Sequence, residues 1–480
     1  MRLTARAPLL PAGPARVETL PGWIDPIRAL AHARPRRIPA LLYSGLAGRH
    51  AEARHSILAW DPVAEIAVSR GGIRVGVAGD PTTSPPRRIA TADPFAALRD
   101  LLPSSEEPAG VPFAGGAIGY LGYGLRAAVE RVERGRPEPL ELPDAWFAVY
   151  DAALVFDHAA GTIRSVRLGE GGEPSSDTLR RISEAAARGD RLATEAERPG
   201  GEVRAARTGT PRSAYEKAVR DVLARIARGD LYQVNLSHRI TAPLEADPFA
   251  VFERLMRDNP APFSAFLDAG AWQILSASPE RFVELRGDVA RSSPIKGTRP
   301  RGAFPEEDLL HAGDLRTSAK DRAENVMIAD LVRNDLGRVC RPGSVTVESL
   351  CRLESFATVH HLVTTVRGRL RADRDRYDLL RALFPGGSMT GAPKIAAMQA
   401  IAALEEEERG AYSGAIGYLS RDGACDFNIV IRTLACGGGL AHFRVGGGIV
   451  ADSDPEREWL ETLDKARALL EVLGARLGPA

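Results

Sequence analysis

SAYEKAVRDVLARIARGDLYQVNLSHRIT, from Ser213 to Thr241, holds a complete helix-to-strand unit and sets the fold class of the chain. Ser213 offers a helix cap, and Tyr215, Val219, Val222, Leu223 and Ile226 fall on one stripe at helical spacing. Gly229 stands where a helix ends in a left-handed residue, and Leu231 to Thr241 follows as a strand. Upstream, Arg198 to Arg212 (RPGGEVRAARTGTPR) is rich in Gly, Pro and Arg and poor in large apolar residues, which reads as a linker. The division expected there separates an N-terminal region, residues 1–198, from a C-terminal region, residues 199–480. Downstream, similar strands alternate with helices near Asp321 to Leu336, Ala392 to Leu404 and Glu456 to Leu473, so the expected class is α+β, or mixed α/β.

The first half reads as strands and turns. Ala40 to Ser44 is a short apolar run, and Ala145 to His158 (AWFAVYDAALVFDH) is a long buried strand with a bend or a hairpin. Gly76 to Arg88 and Pro103 to Pro112 carry the turn residues of surface loops. The hexapeptide GAIGYL occurs twice, at Gly116 to Leu121 and at Gly414 to Leu419, and points to two related sheet elements.

Composition narrows the function classes. With 480 residues, 44% hydrophobic and 26% charged, the chain is an ordinary globular protein of one large or a few smaller domains. Lys and Arg total 63 against 62 Asp and Glu, and aromatic residues are 6%, so the basic surplus and aromatic interleaving of a nucleic-acid binder are missing. Cys340, Cys351, Cys425 and Cys436 form no C-x-x-C pair, which argues for a reducing compartment. Met1 to Gly13 lacks the apolar stretch of a secretory signal, and no window is apolar enough to span a membrane, so the expected location is the cytoplasm.

Several residues have the chemistry of a site. Asp321 and Glu324 lie three apart on one predicted helix and Glu458 and Glu461 on another, so each pair shares a helix face. Facing pairs of this kind suit Mg2+, which takes oxygen ligands and leaves positions for water and an anionic substrate. Beside Lys320, Arg322 and Arg457, solvated helix faces are the commoner explanation of such pairs and the one that composition alone favours. Gly446, Gly447 and Gly448 follow a predicted strand, Ala441 to Val445, and Pro385 to Lys394 (PGGSMTGAPK) enters a helix through Ser388 and Thr390. Each segment either offers backbone N–H groups to an anion or forms no more than a tight turn and cap. Lys296 in SPIKGT is either a desolvated nucleophile or a surface lysine. Glu280 in SPERF is an acid or base at a strand end, or a partner of Arg281, and His361 is an acid/base group or a satisfied core histidine.

Taken together, ten segments resemble one family. They are Asp144 to His158, Gly229 to Ser237 (GDLYQVNLS), Ser276 to Phe282 (SASPERF), Pro294 to Gly302 (PIKGTRPRG), Ala319 to Arg338 (AKDRAENVMIADLVRNDLGR), Val359 to Thr364, Phe384 to Lys394, Gly414 to Leu419, Asn428 to Thr433 (NIVIRT) and Gly446 to Pro455 (GGGIVADSDP). In this order they resemble the chorismate-utilising enzymes that include anthranilate synthase component I. The resemblance implies that family's fold, large β-sheets packed with flanking helices. Upstream of residue 100 only Leu41 to Ser44 and Arg54 to Ser56 resemble it, which implies a tryptophan pocket at Ser44 and Arg54.

By the same resemblance, Glu324 and Glu461 would ligate Mg2+ with Glu458 and Asp321 nearby. The family's usual acid at Asp321 is a glutamate, so Asp321 would act through water. Thr298, Ser388, Tyr412, Arg432, Gly446 and Gly448 fall on substrate-binding positions, and Arg432 suits a two-pronged carboxylate clamp. His361 matches a histidine near the departing hydroxyl.

Three positions choose within the family. Lys296 in PIKGT resembles the branch that aminates chorismate at C4 to aminodeoxychorismate, where anthranilate synthases resemble PIAGT. Gln233 stands where isochorismate and salicylate synthases resemble a lysine base, and it cannot act as one. Asn235 also looks like the C4-aminating type. The implied activity is the transaminase-class amination of chorismate to 4-amino-4-deoxychorismate, towards 4-aminobenzoate and folate, with Lys296 as covalent nucleophile, Glu280 as general acid and Mg2+ as cofactor. None of the cysteines sits in a G-x-C-x-G turn, so ammonia is expected from a separate glutamine amidotransferase subunit, component II. Anthranilate synthase component I is the runner-up, and a non-catalytic chorismate-binding regulatory protein is the alternative of another class.

Overall fold

The apolar run that begins at Ala145 crosses from one sheet to another. In the computed structural model, which describes residues 8–478 apart from 12, 49, 51, 71, 78–85, 92, 106–108, 170–175, 190–203 and 357–358, the run forms two strands, Ala145–Tyr150 and Ala152–Asp157. They belong to different sheets, and the chain passes between them at Asp151. Every residue of both strands is buried because both faces of each sheet are covered, which is why the run shows no polar alternation. Trp146, Ala148 and Tyr150 enter the core between the sheets, while Ala145, Phe147 and Val149 enter a core on the outer face.

Among the described residues the sheets have 13 and 12 strands. Their inner faces share Ile57, Ile118, Val155, Leu267 and Tyr418. Helices cover the outside: Ala319–Gly337 and Arg376–Leu383 pack on the 12-stranded sheet, and Pro248–Asp258 and Pro455–Leu473 on the 13-stranded one. This is the mixed α/β class with large sheets and flanking helices that the sequence leads one to expect.

Residues before 198 and after 199 each supply a contiguous block of strands to both sheets. The blocks join at Ala40–Tyr43 beside Phe263–Asp268 and at Gly116–Leu121 beside Ala415–Ser420. The second junction is the repeated hexapeptide pairing with itself, antiparallel, with Gly119 opposite Gly417. A Cβ on either glycine would strike backbone, the Trp146 carbonyl oxygen in one case and that of Asp426 in the other.

Three local expectations are corrected. Part of the expected linker lies outside the described residues, but Arg204–Thr208 is a strand, held by Ala475–Leu477 on one side and by Ile240 and Thr241 on the other. The following helix starts at Arg212 with Pro211, not Ser213, at its cap, since proline fixes an entry angle and needs no N–H. Gly446 to Gly448 lie inside the Leu440–Ile449 strand rather than in a loop beyond it.

Candidate active site

Lys296 lies on the strand Ile295–Pro300, which pairs with Val359–Arg369 and so sets Lys296 opposite Leu362 and Thr298 opposite His361. Across from them, a turn of helix, Gly387–Thr390, brings Ser388 in. Lys296 Nζ donates to the Ser388 carbonyl at 3.1 Å, and Ser388 Oγ donates to Glu280 Oε1 at 2.6 Å. Ser388 thus touches the amine with its backbone and the carboxyl with its side chain. Burial lowers the Lys296 amine from its ordinary value, opposed by Glu324 and Glu280. Burial also pushes Glu280 up to about 7, opposed by the Ser388 hydroxyl and by Lys296. Both shifts run toward the neutral amine and the protonated carboxyl, the pair of states that a nucleophile and its general acid require.

His361 Nδ1 lies 2.9 Å from Thr298 Oγ1, and its buried Nε2 has no partner. Burial, with Arg432 adding to it, pushes the imidazole down to about 3, so it is neutral and can exchange a single proton. Arg432 adopts a left-handed backbone conformation with φ 49°. Only burial perturbs its guanidinium, and no carboxylate among the described residues engages it, as befits a clamp for an anion. Tyr412 is buried, and its ring lies 5.8 Å from the Arg409 guanidinium carbon. The Thr390 hydroxyl donates to the Gly386 carbonyl at 3.1 Å, within its own turn.

Gly446 and Gly448 sit opposite Ser237 and Asn235 in an antiparallel ladder. Alternation along such a ladder turns the N–H and C=O groups of every second residue outward. Here they are those of Gly446 and Gly448, and Lys465 Nζ indeed reaches the Gly446 carbonyl at 2.9 Å. A Cβ at Gly448 would strike Gln233 Nε2 and lie 3.6 Å from Lys296 Nζ. The Gln233 amide is buried with neither atom partnered, so a bare backbone, an amide and the amine line one cradle.

The acidic pairs are brought to the same cradle. From a Cβ position on Gly447, Glu458 Oε2 is 2.9 Å away and Glu461 Oε1 3.9 Å. Glu324 is raised by burial and feels Lys296 as its leading counter-charge and Glu461 as a like charge. Glu461 is bridged to Lys465 at 2.7 Å, Glu458 accepts from Ser453 Oγ at 2.5 Å, and Asp321 is engaged by Arg299 at 3.0 Å. No three such side chains close into a metal-ligand cluster among the described residues. Glu324, Glu458 and Glu461 are the carboxylates here that could hold a divalent cation, since Mg2+ characteristically takes one or two carboxylates and fills its remaining positions with water and substrate.

Ser44 lines a separate cleft with Tyr43, Phe263, Arg281, Arg286 and Tyr418. Arg54 does not: its side chain is 58% exposed and pairs with Asp157 at 2.9 Å. Arg281 and Arg286 supply the guanidinium groups of that cleft instead. Lys465 escaped the sequence reading, although its position four residues after Glu461 on one helix face was a usable signal.

The fold of two covered sheets with a buried lysine, carboxyl and acidic side chains near one strand is that of an enzyme, and the family match gives its class. Residues 39–471 match the chorismate binding enzyme family, and the chain belongs to it. Aminodeoxychorismate synthase component 1 of Klebsiella aerogenes is 41% identical over 437 residues, covering 90% of this chain and 93% of that protein. Anthranilate synthase component 1 of Streptomyces coelicolor is 42% identical over 395 residues, covering 79% and 77%. The solved anthranilate synthase component I of Streptococcus pneumoniae superposes with a TM-score of 0.75 at 33% identity, covering 87% of this chain and 92% of that one. No helix among the described residues is long and apolar enough to cross a membrane.

Proposed function

We propose that this chain aminates chorismate at C4, forming 4-amino-4-deoxychorismate with ammonia from a partner glutamine amidotransferase in the cytoplasm. The observation that carries the proposal is the contact of Ser388 with both Lys296 and Glu280. The neutral Lys296 amine attacks C2 of the ring. The C1–C2 double-bond pair shifts to C1–C6, the C5–C6 pair shifts to C4–C5, and the C4–O bond breaks as Glu280 delivers its proton to the departing hydroxyl. Ammonia then bonds to C4, the pairs shift back, and Lys296 leaves as a neutral amine. The proton shed by the new ammonium returns to Glu280, so one carboxyl serves both halves.

Arg432 and the outward N–H groups of Gly446 and Gly448 orient the substrate carboxylates, with Thr298 and Tyr412 on the ring side and His361 beside the departing hydroxyl. Glu324, Glu461 and Glu458 would hold Mg2+, which when bound supplies positive charge against a substrate carboxylate. Anthranilate formation is the second reading, favoured by the comparable identity to an anthranilate synthase. The cleft at Ser44 is proposed to take an aromatic amino acid such as tryptophan.

The test is purified protein with chorismate, Mg2+ and ammonium, with and without EDTA, the products separated and identified by mass. Metal-dependent aminodeoxychorismate, lost in Lys296→Ala, supports the proposal. Anthranilate as product, or undiminished amination by Lys296→Ala, overturns it.

A further inference from the structure

Behind the cradle lies a buried guanidinium. Arg409 is 3% exposed, and each of its five N–H groups has an acceptor. Nε donates to Glu405 Oε2 at 2.9 Å, Nη1 to the Met389 carbonyl and Ser413 Oγ at 2.9 Å each, and Nη2 to the Asn235 carbonyl and Glu405 Oε1 at 2.6 Å each. These acceptors belong to separate pieces of the site. Met389 follows Ser388 in the short turn of helix, Asn235 lies opposite Gly448, and Ser413 follows Tyr412. Glu405 extends the grip, accepting from Ser237 N at 2.8 Å and from Arg444 at 2.8 Å, and Ser237 stands opposite Gly446. The Tyr123 ring, 4.8 Å from the guanidinium carbon, closes one face.

We propose that Arg409 is a positioning residue, which holds the Gly387–Thr390 turn where Ser388 meets both Lys296 and Glu280. The turn has four residues and no side-chain cap of its own. Its Met389 carbonyl is therefore fixed from outside, and a planar fork with two donors per terminal nitrogen can hold that carbonyl and the Asn235 strand at once. A lysine has three donors on one nitrogen and cannot span them. If, as proposed above, the chain aminates chorismate, a relaxed turn slows the chemical step more than it weakens substrate binding.

The test uses the full chain as Arg409→Lys and, more gently, Ser413→Ala, which removes one acceptor and touches no proposed substrate group. Melting temperature, kcat and KM for chorismate are measured. So is the titration of Glu280, from the infrared carboxyl band that Glu280→Gln abolishes. The groups facing Glu280 are Lys296 and the Ile295 N–H from one strand and Ser388 from the turn. Arg409→Lys is expected to lower kcat by about tenfold or more with KM little changed. Its Glu280 titration is expected to move upward, with a smaller shift of the same sign in Ser413→Ala. Folded variants that titrate like the parent, or an activity loss that follows melting temperature alone, overturn the proposal. Should Arg409→Lys fail to fold, the titration of Ser413→Ala decides. A parent that does not turn over chorismate overturns the amination proposal, and the titration still judges Arg409.

Discussion

Ser388 Oγ donates to Glu280 Oε1 at 2.6 Å, where Glu280 is 4% exposed. The bond favours the charged carboxylate and so opposes the burial that pushes Glu280 up to about 7. Ser388→Ala removes that opposition, and the folded-state value rises further. A general acid works in its protonated form, so activity is lost as pH climbs through this value. The alkaline limb of kcat/KM against pH should therefore move to higher pH in Ser388→Ala, and an unmoved or lowered limb contradicts the acid role.

Glu461 and Glu458 both point at the space over Gly447. Glu461→Gln keeps the shape and removes the charge. The Mg2+ concentration for half-maximal activity should rise by about tenfold or more. Titrating Mg2+ into EDTA-stripped parent and variant gives the comparison, and superimposable curves exclude Glu461 as a ligand.

Lys394 bridges Asp335 at 2.5 Å and also reaches the Leu383 carbonyl at 2.9 Å, with both charged side chains largely enclosed. Lys394→Met leaves the Asp335 carboxylate buried without its partner, at a cost of about 3–5 kcal/mol. Asp335→Asn combined with Lys394→Met should recover part of that loss. Urea unfolding of the parent and the two variants measures it, and a stable single variant contradicts the pairing.

Gly417→Ala drives a methyl into the Asp426 carbonyl at the strand junction, whereas Gly76 has open space around its Cβ position. Gly76→Ala should melt within a few degrees of the parent, and Gly417→Ala should fail to fold or melt far lower. Equal melting temperatures refute the close approach.

Much of this was legible in the sequence where local chemistry decides. The helix Ala319–Gly337 begins after Ser318, whose hydroxyl caps it, and the spacing of Asp321 and Glu324 already placed both on one face. The approach of Glu324 to Glu461 was legible only through the family resemblance, because spacing along one helix does not say which helix will face it. Arg204–Thr208 reads as a linker because only Ala206 among its five residues is buried, which leaves no apolar alternation to see. Arg409 closes the run Glu405 to Glu408, which looks like a solvated charge cluster. Tertiary packing buries Glu405 and Glu408 and leaves Glu406 82% exposed. Arg54 turns to Asp157 and not into the Ser44 cleft, since a short sequence match fixes a backbone position and not the direction in which a long side chain leaves it.

The two junctions between strand blocks have a consequence for the integrity of the chain. Either block alone would carry two raw sheet edges, Ala40–Tyr43 with Gly116–Leu121 on one and Phe263–Asp268 with Ala415–Ser420 on the other. Unpaired edges of this kind recruit any strand that comes near. A nick between residues 190 and 203 would therefore leave two fragments that remain docked as one particle, whereas either fragment produced by itself would self-associate and precipitate.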